Sequence, residues 1–172
     1  MTRSEALSDL VKPWCKKVMD DPQWERLSTR AKSSNALFTE TLWTDETICA
    51  HQSFYRSQRS ENLPSGEIRV LLSLGSGLDG HPGICHGGFL SLIFDDTIHE
   101  LAAKELPTLA VTVSLTVTFR QPVRTPALVV CRAWMEKVPV GRKAWIESTI
   151  EDGKGGVFAS VASFILKIKE NI

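Results

Sequence analysis

Between Gly80 and Glu105 the chain reads GHPGICHGGFLSLIFDDTIHELAAKE, and this stretch holds its most chemically capable residues. His86-Gly87-Gly88 stand where a glycine- and proline-rich loop gives way to a long apolar run, with no Ser, Thr, Asp or Asn directly before them. A helix that begins in this way leaves backbone N–H groups free at the positive end of its dipole, and its glycines let another molecule approach the backbone. Such a terminus suits an oxygen that carries negative charge. About two and a half turns further along come two carboxylates, Asp95 and Asp96. An acid within an apolar run must be compensated or put to use, which makes the pair a candidate for acid–base work. Ser91, Asp95 and His99 recur at four-residue spacing, so Asp95 and His99 can meet as an i,i+4 pair.

The element that carries these groups is predicted to be a buried helix. Phe89, Leu90, Leu92, Ile93, Phe94, Ile98, Leu101, Ala102 and Ala103 cover most of its circumference, as in a helix wrapped by other structure. Four strands are expected after it. Residues 109–120 alternate strictly, with Val111, Val113, Leu115, Val117 and Phe119 on one face and Thr112, Ser114, Thr116 and Thr118 on the other. Strands over 127–138, 143–151 and 157–168 follow, separated by turns at 121–126, 140–142 and 152–156. Upstream, 68–74 reads as a strand, 56–66 as a loop, and 36–55 as one or two short strands. Leu7, Leu10, Val11, Trp14, Cys15 and Val18 form a helical stripe over 4–31, interrupted at Pro13, and Pro22 restarts a short helix carrying Trp24 and Leu27. The resulting expectation is an α+β fold: a helical extension over 1–35 and a single domain over 36–172.

Composition narrows the function classes. Of the 172 residues, 20 are basic and 20 acidic, a balance that argues against nucleic-acid binding. No apolar run reaches membrane-spanning length, and the N-terminal residues lack an apolar signal core, so a cytoplasmic location is expected. Cys15, Cys49, Cys85 and Cys131, and the four histidines, fall in no metal or redox spacing; no metal and no cofactor are expected. Gly75-x-Gly77-x-x-Gly80 fits a dinucleotide fingerprint, but no helix opens directly after it and the downstream strands form a meander, so a plain loop is the better reading. Cys85 beside His86 is read as a small buried thiol rather than a nucleophile. Arg120, Arg124, Arg132, Arg142 and Lys143 lie at strand ends, either as a solvated face or as partners for ligand phosphates.

HGGFLSLIFDDT, then VTVSLTVTFRQP, then VGRK resemble, in order, the hotdog-fold acyl-CoA thioesterases, in particular the phenylacetate-degradation-type branch with its H-G-G…D helix motif. The resemblance spans roughly residues 67 to 168. It implies a curved antiparallel sheet around the central helix, and a homodimer or homotetramer. It also implies hydrolysis of an acyl-CoA or acyl carrier-protein thioester in fatty-acid or secondary metabolism. By position, the N–H of Gly87 or Gly88 would polarise the thioester carbonyl and His86 would shape that pocket. Asp95 would act as general base or nucleophile, and Thr112 would position the water or the carboxylate. Arg120, Arg142 and Lys143 would meet the CoA phosphates, with Asp96 also on the substrate side. Trp43, Phe54, Phe89 and Trp134 are candidates to line the acyl tunnel. Two rivals are a hotdog hydratase or dehydratase, and an acyl-CoA-binding protein without turnover.

Overall fold

The computed structural model describes residues 10–28, 35–57 and 65–168. Seven antiparallel strands form one sheet in the order β1-β2-β3-β7-β8-β9-β6, comprising β1 (Glu25–Arg26), β2 (Ile48–Arg56), β3 (Glu67–Leu74), β6 (Ala110–Phe119), β7 (Ala127–Met135), β8 (Lys143–Glu151) and β9 (Val157–Lys167). A two-stranded ribbon, β4 (Asp79–His81) with β5 (Ile84–Cys85), precedes the long helix α2 (Gly87–Glu105). At 19 residues α2 is about 28 Å long and crosses the sheet. Its Ile93, Phe94, Ile98 and Leu101 are buried against Val70, Leu72, Ala133, Ile146 and Ile165 of the strands. Each such side chain contributes about 1.5–3 kcal/mol by leaving water, so this packing sets where the helix lies. Among the described residues no helix is long and apolar enough to cross a membrane.

A second apolar cluster covers the other face of the sheet, where Leu10, Cys15 and Trp24 pack on Ala50, Phe54, Leu71 and Val130. Beside it Glu67, fully buried, accepts from Arg132 Nε at 2.7 Å and Arg69 Nε at 3.0 Å. Arg132 also reaches Glu151 at 3.1 Å. Burial pushes the Glu67 carboxyl upward, but the Arg132 hydrogen bond and the neighbouring guanidiniums outweigh it and leave the group below its ordinary range. The guanidiniums of Arg56 and Arg69 lie 4.6 and 4.2 Å from the centre of the Trp24 ring.

Several local expectations give way to tertiary pairing. The N-terminal helix α1 spans only Pro13–Met19, with Pro13 in its first turn rather than at a kink. No helix restarts at Pro22: Glu25 and Arg26 pair with Tyr55 and Phe54 as β1. The outermost position beside β2 offers them ladder partners that a short isolated helix lacks. The remainder of the predicted extension, 1–9 and 29–34, lies outside the described residues. Leu37–Leu42 forms a π-helical turn, not a strand, with Phe38 and Leu42 laid against the main core.

The most consequential departure is in β6. Thr112 pairs with Ile165 and Ser114 with Phe164, so Val113 is an extra residue with no partner on β9. Such a bulge inverts the side-chain phase. Thr112 therefore faces α2 together with Leu115 and Val117, which pack on the main core, while Val113 is 54% exposed. The strict alternation had put Thr112 on the opposite face from those two residues.

Candidate active site

The front of α2 is built around an imidazole. His86 occupies the cap position, and its Nδ1 accepts the N–H of Gly88 at 2.9 Å. The helix is thus capped after all, by a residue outside the usual capping set. With Nδ1 accepting, the neutral ring carries its proton on Nε2. The glycines make room for the ring. A Cβ on Gly88 would sit 2.9 Å from Cε1 and Nδ1 of His86, and one on Gly80 would sit 2.9 Å from its Cδ2. Phe89 and Leu90 send their N–H groups to the His86 carbonyl. Gly87 is left as the first-turn amide without an acceptor among the described residues. It opens on a cleft of about 530 Å³ bounded by Gly80, His86, Leu90, Phe119 and Arg120. A Cβ on Gly87 would meet the Phe119 ring at 3.2 Å, so the glycine keeps that approach open.

Two turns deeper, Asp95 sits in a hydrogen-bonded chain. The Thr112 hydroxyl donates to Asp95 Oδ1 at 2.6 Å, and His99 Nε2 lies 2.9 Å from the same hydroxyl. Because the hydroxyl's single proton goes to the carboxylate, His99 must donate through Nε2. Asp95 and His99 themselves stand 3.8 Å apart, so Thr112 mediates the anticipated i,i+4 pair. The Asp95 side chain keeps 37% of its surface open to solvent. Ser91, the third residue of this face, donates to the Gly87 carbonyl at 3.0 Å instead. Asp96 turns elsewhere and accepts from Asn35 Nδ2 at 2.7 Å.

The expected basic residues do not converge within one chain. Arg120 borders the Gly87 cleft. Arg142 and Lys143 lie at the opposite end of the sheet, where Arg142 Nε donates to the Lys167 carbonyl at 2.8 Å. The length of β6 separates the two groups by roughly 30 Å. Arg132 is committed to Glu67 and Glu151. Of the aromatic residues, Phe54 belongs to the far-face cluster and cannot line a tunnel on the helix side, whereas Phe89 lies in the main core. Trp43 is tilted against His51 and Trp134 stands near Arg132.

Residues 82–157 match the Thioesterase superfamily model. The sheet and helix superpose on the E. coli PaaI protein from the phenylacetic acid degradation operon with a TM-score of 0.54 at 18% identity, covering 63% of this chain and 79% of that one. A thioesterase superfamily protein from Shewanella loihica PV-4 aligns with a TM-score of 0.54 at 16% identity, over 68% of this chain and 90% of that one. The fold is the hotdog fold. In sequence, the chain is 27% identical over 152 residues to the Mus musculus acyl-coenzyme A thioesterase THEM4, covering 78% of this chain and 65% of the relative. It is 26% identical over 172 residues to Verlamelin biosynthesis protein B of a Lecanicillium species, covering 80% of this chain and 74% of the relative. The chain thus spans about 65% of the length of the mouse protein.

Within the hotdog framework the rejected motifs have structural explanations. The N–H groups of Gly75 and Gly77, which a dinucleotide phosphate would need, donate to the carbonyls of Thr47 and Glu46 at 2.7 and 2.8 Å. A 3₁₀ turn over Ser76–Leu78 and the β4–β5 ribbon follow in place of a phosphate-binding helix. Burial and the nearby Asp79 charge push the Cys85 thiol up to about 11, leaving little thiolate at neutral pH. The residue that sequence reasoning placed in the polar column without a role was His99. Its i+4 spacing from Asp95 was the available signal; the hydroxyl between them belongs to Thr112, which the resemblance implied would position the carboxylate but which the strand alternation put on the other face.

Proposed function

We propose that the chain is an acyl-CoA thioesterase of the phenylacetate-degradation-type branch, working as a symmetric homodimer. The observation that carries this reading is the Gly87 N–H, without an acceptor among the described residues, opening onto a cleft at the positive end of a buried helix. Fixed amides of this kind stabilise a tetrahedral oxyanion, and one donor can account for about 10²–10³ in rate. The mouse relative's name, an acyl-coenzyme A thioesterase, agrees with the same chemistry.

In the proposed reaction Asp95 takes a proton from water as the water oxygen bonds to the thioester carbon. The carbonyl electron pair moves onto oxygen and is held by the Gly87 N–H. The oxyanion then collapses, the carbon–sulfur bond breaks, and the leaving thiolate takes up a proton, giving free acid and CoA thiol. Thr112 fixes the carboxylate that performs the first step, and Asp96 stays with Asn35.

A single chain does not bring the two groups to one carbonyl. Eight helical residues separate Gly87 from Asp95, about 12 Å along the axis, and Asp95 does not border the Gly87 cleft. Strand β6 supports a remedy. It is an edge strand ten residues long, with Val111 at 45% and Val113 at 54% exposure. An edge of that length invites pairing with another strand. Antiparallel pairing of β6 with its own copy across a two-fold axis sets the Phe119 end of one strand beside the Val111 end of the other. The partner's copy of the Gly87 terminus then approaches this chain's Asp95, and two equivalent sites result.

The test is thiol release from a panel of acyl-CoA thioesters by purified protein, with Asp95→Asn beside wild type. Wild type releases thiol and the variant loses about 10²–10⁴-fold in kcat, the usual contribution of a positioned general base. Equal rates, or no thiol from wild type on any chain length, refute the proposal.

A further inference from the structure

A second groove, of about 400 Å³, joins the Gly87 cleft along a shared wall of Gln121 and Pro122. Three cations from distant parts of the sequence line it: Lys12 just ahead of α1, Arg124 from the β6–β7 connection, and Lys154 from the β8–β9 hairpin. None of the three forms an ion pair among the described residues. Asp152 is the one lining acid, and its Oδ1 accepts the N–H groups of Lys154 at 2.7 Å and Gly156 at 2.9 Å. Those bonds tie the carboxylate into its own hairpin turn. Leu128 and Phe158 supply an apolar side to the same groove. Trp14 packs so closely on Gly153 that no Cβ fits there, which locks the hairpin bearing Lys154 to the segment bearing Lys12.

We propose that this groove holds the 3′-phosphorylated nucleotide end of a CoA thioester whose acyl carbonyl lies at Gly87. The inference rests on the thioesterase reading above. A ligand that fits must be anionic and partly aromatic at one end and carry a neutral arm reaching past Pro122 into the neighbouring cleft. A nucleotide on a pantetheine arm has that form. Free phosphate has no use for the apolar side, and the phosphopantetheine of a carrier protein carries no adenine. The N-terminal segment, which the match to the Thioesterase superfamily leaves out, thus takes part in choosing the substrate.

The experiment compares acyl-CoA, its 3′-dephospho analogue and the corresponding acyl-pantetheine as substrates for wild type, Lys12→Gln, Arg124→Gln, Lys154→Gln and the triple variant. Thermal midpoints establish that each variant is folded. The kcat/KM advantage of acyl-CoA over acyl-pantetheine is expected to fall about threefold to tenfold for each cation removed, and to shrink with added salt. Calorimetric titration of CoA into wild type and the triple variant reads the groove without turnover. If wild type binds CoA, the triple variant does not, and neither hydrolyses, the groove stands and the thioesterase reading falls. If hydrolysis occurs but acyl-CoA keeps its full advantage in the triple variant, the groove is overturned and the thioesterase reading survives. An acyl carrier protein that depends on these cations where acyl-CoA does not would equally overturn it.

Discussion

Replacing Thr112 by valine tests the proposed base directly. The hydroxyl gives its proton to Asp95 at 2.6 Å and receives one from His99 at 2.9 Å, so valine removes both bonds while keeping the side chain's shape. His99 cannot take over without moving, because it stands 3.8 Å from the carboxylate. A hydrogen bond to a charged group contributes about 1.5–3 kcal/mol. Asp95 keeps 37% of its side-chain surface in solvent, so water replaces part of the loss and the lower figure applies. About 1.5 kcal/mol on the barrier is roughly a tenfold drop in kcat. Thiol release from an acyl-CoA at saturation measures it, with thermal unfolding to establish that the variant is intact. Thr112→Ser restores the hydroxyl and most of the rate. Wild-type turnover by the valine variant, or serine no better than valine, would refute the assignment of Thr112 as the residue that holds Asp95.

Other perturbations follow from the same contacts. Gly88→Ala places a methyl 2.9 Å from the His86 ring, displacing the cap; about 1 kcal/mol of stability is lost and thiol release falls more than the stability change explains. Glu67→Gln leaves Arg69 and Arg132 without their buried counter-charge and costs about 3 kcal/mol, which lowers the thermal midpoint by roughly 6–12 °C. Since the folded protein holds the Glu67 carboxyl below its ordinary value, its stabilisation is fully present above that ordinary value and fades as pH falls through the folded one. Denaturant titrations of wild type and variant should therefore converge on the acid side. Gly153 has φ of +72° and faces Trp14, so Gly153→Ala should loosen the N-terminal segment, read as increased proteolysis between residues 10 and 24 with the central helix still protected from hydrogen exchange.

The parts legible in the sequence were those with long, consistent periodicity. The central helix showed itself through apolar residues on nearly every side, and the three strands after the FRQP turn through turn residues at regular intervals. His86, Gly87 and Asp95 were legible as a spaced set because one helix carries them all. Elements decided by distant partners were not. Glu25 and Arg26 have no strand signal of their own and extend only because β2 presents a free edge. Leu37–Leu42 carries the apolar content of a strand, yet it winds into a helical turn against the core. His86 as a cap was missed because imidazole is not among the usual capping groups, and only the lack of side chains at Gly80 and Gly88 gives the ring its seat. Phe54 and Arg132 look like surface or tunnel candidates in isolation, but the N-terminal segment buries the face they occupy.

The unpaired Val113 gives β6 an odd–even arithmetic. Counting from Phe119 back along the strand, Thr112 reaches the helix only because one residue goes uncounted by β9. Were that single valine instead counted into the β9 ladder, every polar group in the chain would still be present, yet the hydroxyl would turn outward, toward water, with Val111 drawn in against Asp95. A homologue aligned without a gap at this point could share every named residue and still lack the assembled pair. Which residues of this strand the ladder counts, and not residue identity alone, is therefore the criterion by which relatives of this chain should be sorted.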